Sequence, residues 1–177
     1  MKILLIILLL AIAGSAQTIQ DRIKALDDSK TYAVKYDKFK DETTVTGRVG
    51  FRLPKGHIID TMELEMNGTF PGQTPNQDIA EFQCYFIQHY SQSWVFLHDQ
   101  HLIMLLDGVK VDFGQGKQGG EARLGGVDEW VYFKISREDL QKIADAKTVE
   151  IQLASYEGRI SQKTQPRLKA FLDLTKK

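Results

Sequence analysis

From Tyr32 onward, apolar and polar residues alternate with a period of two. This period is typical of β-strands that bury one face and expose the other. One segment, for example, has Met62, Leu64 and Met66 on one side and two glutamates on the other. The segments with this pattern are 32–36, 44–53, 58–66, 81–90, 93–97, 101–106, 109–113, 129–135 and 148–154, followed by a turn and a short strand in 156–161. They predict about nine short strands.

The dipeptide Asp107-Gly108 separates two apolar runs. It predicts a β-hairpin with a two-residue turn, because both central residues of such a turn need positive φ. The turn then fixes the register. Leu106 is expected opposite Val109, Met104 opposite Val111, and Leu102 opposite Phe113, with this apolar face in the core. His101 falls on the other, less buried face.

Two segments have helical spacing instead. Ser136 is a candidate N-cap for a short helix near 136–146, and the tail from Gln165 to Lys177 predicts a closing amphipathic helix. Residues 18–30 have weaker helical spacing and predict either a short helix or a loose lead-in. Closely spaced strands with turns between them favour a mainly β fold, an antiparallel β-sandwich partly capped by the C-terminal helix; a β-barrel is the alternative.

The chain begins MKILLIILLLAIAGSAQ. Lys2, an apolar run from Ile3 to Ala13 and small residues after it are typical of a secretory signal peptide, with cleavage after Ala16 or Ala13. A retained N-terminal anchor is the alternative, although the run is short for a bilayer. We therefore predict a signal peptide at 1–16, a lead-in at 17–31 and a single β-rich domain at 32–177. The location is then periplasmic or secreted, with no stable membrane insertion after cleavage.

Charge and cysteine content narrow the possible partners. The chain has 23 basic and 23 acidic residues, a balance that argues against nucleic acid as a partner and against a strong electrostatic hold on anionic lipid. A single cysteine, Cys84, cannot form an internal disulfide. It shares a strand face with Phe82 and Phe86, so we expect it in the core.

The stretch His98-Asp99-Gln100-His101 places two imidazoles and a carboxylate within four positions. These groups could bind a metal or act in acid–base catalysis. A metal site needs a third ligand, and His57 and His89 are the only other histidines. We predict a polar turn between two strands, because the link is short and polar. If strand 81–90 pairs with strand 93–97, the sheet does not bring His89 to His98. No metal or catalytic residue is predicted.

Other candidate sites are weaker. The run GQGKQG at 114–119 matches a dinucleotide-binding pattern, but no helical sequence follows it, so residues 114–126 are interpreted as a mobile loop. Glu63 and Glu65 share a strand face and predict a solvated surface rather than a catalytic pair. Nucleophile elbows, phosphate loops and zinc motifs do not occur in the sequence, and no cofactor is predicted. Asn67-Gly68-Thr69 is a glycosylation sequon whose use depends on the exporting cell.

Two aromatic residues, Trp130 and Tyr132, alternate with Val131, Phe133 and Ile135. One of these two faces must be less buried than the other. Packing in the core or at its boundary is the expected role of the aromatic pair. If the pair lies on the more exposed face, it suits ligand or protein binding.

Three stretches carry a resemblance to a known group: YDKFKDETTV, SWVFLHDQHLIMLLDG and VYFKISREDLQKIADAKTVEIQLASYEGRIS. Together they resemble a family of uncharacterised bacterial exported domains that carry a signal peptide and have the same order of elements. The resemblance implies a shared fold and export. It implies no activity and no functional residues.

These observations favour an exported, non-enzymatic β-rich domain that binds a protein or small ligand in the cell envelope. The alternative is a metal-dependent or acid–base hydrolase centred on the His98–His101 turn. A third possibility, a carrier of apolar ligands, requires a barrel with a cavity.

Overall fold

A computed structural model describes residues 18–26, 29–53 and 61–177 of the chain. The predicted signal peptide at 1–16 lies outside the described residues, as does His57. Within the described residues, no helix is long and apolar enough to span a membrane.

The fold is mainly β, as predicted, with ten strands where the sequence pattern predicted about nine. The strands are β1 (Tyr32–Asp37), β2 (Glu42–Arg52), β3 (Thr61–Pro71), β4 (Glu81–Ser91), β5 (His101–Leu106), β6 (Val109–Gln115), β7 (Lys117–Arg123), β8 (Gly126–Ser136), β9 (Val149–Leu153) and β10 (Tyr156–Ile160). The helices are α1 (Ile19–Lys24), α2 (Arg137–Asp145) and α3 (Gln165–Leu174), with a short 3₁₀ turn at Ser29–Thr31. Both predicted helices of the C-terminal half are confirmed, and the lead-in contains the short helix α1.

All strand pairs are antiparallel, in the order β6-β5-β9-β10-β2-β3-β4-β8-β7, and β1 also pairs with β2. The order is open rather than closed into a ring, which favours the predicted sandwich over its barrel alternative. The end strands β6 and β7 are consecutive in the chain, with Gly116 between them. A Cβ atom at Gly116 would lie 2.5 Å from Val131 Cγ1. The chain can therefore pass close to β8 at this point only without a side chain.

The core lies on one face of the sheet and beneath α2 and α3. Phe86 contacts Phe51 and Phe133 edge to face, with ring centroids 6.2 Å and 5.8 Å away, an arrangement that aromatic rings prefer. Helix α3 brings Phe171 over Gly47 of β2, where a Cβ would lie 2.6 Å from the ring. Burial of apolar side chains by both helices and sheet supplies the main stabilisation, because no disulfide is available.

The β5–β6 hairpin confirms the predicted turn. Asp107 and Gly108 both have positive φ, 51° and 83°, and Leu106 pairs with Val109 as expected. The register then shifts between Leu102 and Ile103, so that Leu102 pairs with Gly114 and not with Phe113. The predicted Leu102–Phe113 pair is wrong because a bulge inserts one residue, with Gly114 at φ 72°.

The predicted strand at 93–97 is also wrong. Residues 93–97 are not a strand, and β4 pairs with β3 and β8 instead of with this segment. The N–H groups of Val95 and Phe96 donate to the carboxylate of Glu129, at 2.6 Å and 3.0 Å. A buried side chain on β8 thus replaces the ladder bonds that a strand would make.

The predicted mobile loop at 114–126 is largely the strand β7, paired along its length with β8. Its middle residues, Gly119 and Gly120, have low intrinsic strand preference. They are accommodated because two indole rings occupy the space of their missing side chains: Trp130 lies against Gly119 and Trp94 against Gly120. Tertiary packing therefore overrides local propensity in this segment.

Asp107 joins the β5–β6 hairpin to the start of β9, and this link is expected to depend on pH. Its carboxylate accepts from Thr148 N at 2.8 Å and Lys147 N at 3.2 Å. These N–H groups, that of Thr148 first, hold the pKa of Asp107 below its ordinary value of 3.8. A lowered pKa contributes stability that is present above the unfolded value and lost as pH falls through the folded value.

Asp107→Asn is therefore expected to lower the urea midpoint at pH 7 and to lower it by less at about pH 2.5. Asparagine is a suitable replacement because it tolerates the positive φ at this position. Urea unfolding of both proteins at the two pH values tests this expectation. An equal loss of stability at both would show that the charge of Asp107 is not what stabilises the link.

Candidate binding surface

The His98–His101 stretch forms a polar turn before β5, as the sequence predicted. The Asp99 carboxylate accepts from His101 N at 2.9 Å, and this N–H, more than any other group, holds the pKa of Asp99 below its ordinary value. The imidazole of His101 lies on the less buried face, as predicted, with Nε2 2.6 Å from Asp112 Oδ1. The side chain of His98 is exposed.

Among the described residues, the His98–His101 turn does not lie close to enough further side chains to form a metal site. The pKa of Asp112 is lowered mainly by the hydrogen bond from His101, and next by the hydrogen bond from the N–H of Gly114. His89 lies elsewhere, with Nδ1 3.5 Å from Asp128 Oδ1. Across residues 18–26, 29–53 and 61–177, no group of three or more His, Cys, Asp or Glu side chains could hold a metal ion.

The other sequence candidates have structural partners. Glu63 and Glu65 both face Arg48, whose guanidinium lies 3.6 Å from Glu63 and 2.8 Å from Glu65. The glycine pattern at 114–119 continues into β7 instead of opening a helix, so it lacks the helix N-terminus that a dinucleotide phosphate needs. Cys84 is fully buried, as predicted, and burial raises the pKa of its thiol.

A cluster of aromatic and aliphatic side chains covers the solvent side of β4 and β8. Tyr85 is the cross-strand partner of Tyr132, and Ile87 is the partner of Trp130. All four side chains are half-buried, whereas the alternating residues on the opposite face are fully or almost fully buried. We call Tyr85, Ile87, Trp130 and Tyr132 the outer aromatic surface.

The rings of this surface have defined positions. The centroids of Tyr85 and Tyr132 are 5.2 Å apart, with the planes tilted by 44°. Trp130 lies against the backbone of β7, where a Cβ on Gly119 would come within 2.6 Å of its Nε1. The glycine allows the indole to lean onto the neighbouring strand. Burial, followed by the nearby Tyr132, raises the pKa of the Tyr85 hydroxyl, so Tyr85 serves as a neutral hydrogen-bonding group at physiological pH.

Polar groups surround the rings, and most of their charges are paired. The ion pairs on this side of the sheet join Arg48 to Glu65 at 2.8 Å, Lys134 to Glu81 at 3.0 Å and Arg123 to Asp128 at 3.1 Å. Exposed Gln83 accepts from the Tyr85 hydroxyl at 3.2 Å, and Lys117 on β7 is the cross-strand partner of Tyr132. The surface therefore combines aromatic rings with amide, hydroxyl and ammonium groups and little net charge.

The sequence pattern identified half of this surface. It placed Trp130 and Tyr132 opposite the apolar face of β8 and left open which face is less buried; in the structure it is the face of Trp130 and Tyr132. It missed Tyr85 and Ile87. The available signal was their position on β4, where they alternate with Phe82, Cys84 and Phe86. The false pairing of β4 with residues 93–97 hid their adjacency to β8.

The fold defines the protein as a mainly β, antiparallel sandwich-like domain with a solvent-facing aromatic surface. Comparison with known protein families, with curated proteins and with solved structures gives no match. The resemblance to exported bacterial domains therefore stays a prediction, and arguments about function rest on the surface itself.

Proposed function

We propose that the protein is an exported, non-enzymatic binding module that holds an uncharged carbohydrate chain of the cell envelope on the outer aromatic surface. The observation that carries this proposal is the row of solvent-facing rings, with Tyr85 and Tyr132 5.2 Å apart and Trp130 beside them. Export rests on the apolar leader with its small residues at 13–16. The module acts in the periplasm or outside the cell, without a cofactor.

A carbohydrate chain fits the chemistry of the surface. The C–H faces of a sugar ring are apolar and pack on aromatic rings, while its hydroxyl groups need hydrogen-bonding partners at the edges. Tyrosine and tryptophan provide both an apolar body and a polar tip. Gln83 and Lys117 offer an exposed amide and an ammonium group next to the tyrosines.

Charge favours an uncharged ligand over a polyanion. Binding to a nucleic acid or another polyanion rewards a concentrated positive patch, whereas Arg48, Arg123 and Lys134 around the rings are paired with carboxylates. The surface is also a sheet face, which suits a ligand that lies along it more than one that enters a closed pocket. No observation on the described residues favours the alternative hydrolase, so it is not proposed.

The proposal is tested by titrating the purified protein calorimetrically with a β-1,4-linked N-acetylglucosamine oligosaccharide, an uncharged chain with the chemistry of cell-envelope glycans. The native protein is expected to bind, and Trp130→Ala is expected to weaken binding by about 30-fold, as truncation of a central aromatic contact does in other interfaces. Tyr132→Ala is expected to weaken it by about tenfold.

The matched control is Phe39→Ala, because Phe39 is an aromatic residue that is 89% exposed at the β1–β2 turn, outside the surface. Its binding should equal that of the native protein. Circular dichroism and the urea midpoint of each variant establish that the sheet is intact. If the native protein does not bind the oligosaccharide, or if Phe39→Ala weakens binding as much as Trp130→Ala, the proposal is wrong.

A further inference from the structure

A second site lies away from the aromatic surface, where β10 meets β2. These two strands are joined by one residue pair, Arg159 opposite Arg52. A recess of about 410 Å³ opens beside the two arginines and is lined also by Thr61, Ser161 and Thr164. We propose that this recess binds a phosphate-type oxyanion group.

The two arginines face each other without enough negative charge between them. Like charges at directly opposite positions of an antiparallel pair destabilise it. Arg159 has a carboxylate partner, Glu150, at 2.9 Å. Among the described residues, none forms an ion pair or a side-chain hydrogen bond with Arg52. This differs from Arg48 on the same strand face, which contacts two carboxylates.

The Ser161 hydroxyl of the recess is placed to donate to a ligand, whereas the Thr164 hydroxyl already donates to Ser161. Ser161 Oγ accepts from Lys163 N at 3.2 Å and from Thr164 Oγ1 at 3.1 Å. Since both of these bonds use its oxygen as acceptor, the O–H hydrogen of Ser161 has no acceptor within the described part of the chain. The serine is thus held in place by its neighbours while its donor stays available. Thr61 adds an exposed hydroxyl at the start of β3.

A tetrahedral oxyanion supplies the negative charge and the hydrogen-bond acceptors that the recess lacks. Guanidinium groups bind phosphate oxygens with short, charge-assisted and often bidentate hydrogen bonds, and serine and threonine hydroxyls complete such sites. The anion would lie between two like charges and cancel their repulsion. Because Arg52 and Arg159 form the only β2–β10 residue pair within the described part of the chain, its binding also strengthens the connection between the two halves of the sheet.

The test is the melting temperature of the protein with inorganic phosphate, against chloride at matched ionic strength. Phosphate at about ten times its Kd is expected to raise the melting temperature by about 4 °C. Arg52→Gln is expected to abolish this increase, and to melt no lower than the native protein in chloride because the repulsion is gone. Arg48→Gln is the matched control, since it removes a paired arginine from the same strand face, and it should retain the increase.

Two probes distinguish the source of the anion. Inorganic phosphate represents the free ion, and glycerophosphoglycerol represents the phosphodiester headgroup of an anionic lipid. If only phosphate raises the melting temperature in an Arg52-dependent way, the site binds the free ion. If the diester raises it in that way, the site binds a lipid headgroup. The proposal is overturned if neither probe raises the melting temperature of the native protein above chloride, or if Arg52→Gln retains the full increase.

Discussion

Glu129→Ala is expected to destabilise the protein by about 3–5 kcal/mol, since it leaves one buried and two part-buried donors without this acceptor. Glu129 is fully buried in β8. Its carboxylate accepts from Val95 N at 2.6 Å, Phe96 N at 3.0 Å and Gln118 Nε2 at 2.9 Å. The alanine variant removes all three bonds and opens a cavity. Segment 93–97 then loses both of its N–H bonds to β8 and keeps the bonds that Ser93 O accepts from Ser91 Oγ and Phe96 O accepts from Gln100 Nε2.

Urea unfolding at pH 7 measures this loss, with two variants for comparison. Glu129→Gln keeps the size of the side chain but places an amide N–H₂ against one of the donors, so an intermediate loss of about 1–3 kcal/mol is expected. Glu121→Ala removes an exposed glutamate from the adjacent strand β7, and should cost under about 1 kcal/mol. A loss of that size for Glu129→Ala would contradict the role given to its carboxylate.

Arg137→Ala is expected to cost about 2–4 kcal/mol and to loosen the C-terminal end of α3. The Arg137 guanidinium donates to Ile79 O at 2.6 Å, Leu172 O at 3.2 Å and Thr175 O at 2.8 Å. It also lies over the ring of Phe82, 5.3 Å from the centroid. Burial lowers the pKa of Arg137. Its removal takes the charged donor away from Leu172 O and Thr175 O, which then keep neutral donors such as Thr175 N and Ile79 N, each at 3.3 Å.

The measurement for this variant is urea unfolding together with hydrogen exchange of the α3 amides, which should exchange faster in Arg137→Ala. Arg22→Ala is the matched control, because Arg22 also donates to a carbonyl near the end of α3, that of Asp173, but through an exposed hydrogen bond, whereas the bonds of Arg137 are part-buried. It should cost under about 1 kcal/mol. Equal losses in the two variants would show that burial of Arg137 adds nothing to its bonds.

The sequence predicted the elements that depend on residues close together in the chain, such as turns, helix caps and the buried faces of strands. The Asp107-Gly108 turn follows from the φ angles that its two residues accept, and Ser136 caps α2 through a bond from Asp139 N to its hydroxyl at 3.0 Å. Alternation predicted which side chains of β2, β3 and β8 are buried. These signals need no knowledge of which strands are neighbours.

Features that depend on distant residues could not be predicted in this way. Residues 93–97 alternate like a strand, but the carboxylate of Glu129 takes two of their N–H groups. The segment Lys117–Arg123 reads as a loop, but β8 pairs with it and Trp130 fills the space beside Gly119. In both cases a long-range contact outweighs the local pattern.

The two proposed sites also differ in how far the sequence alone could predict them. Trp130 and Tyr132 were visible as candidates because they lie on one face of a single strand. Tyr85 joins them only once β4 is known to pair with β8. The recess at Arg52 and Arg159 has no signal in the sequence, because its two arginines belong to strands far apart in the chain and meet only through the β2–β10 pairing.

The most direct test of the proposed function uses the fluorescence of Trp130. The chain has two tryptophans, so Trp94→Phe leaves Trp130 as the only one and reports on the outer aromatic surface. Titration with the N-acetylglucosamine oligosaccharide is expected to change its emission with saturation, at the Kd found by calorimetry. Unchanged emission at concentrations where calorimetry shows binding, or no binding by either method, would contradict the assignment of this surface.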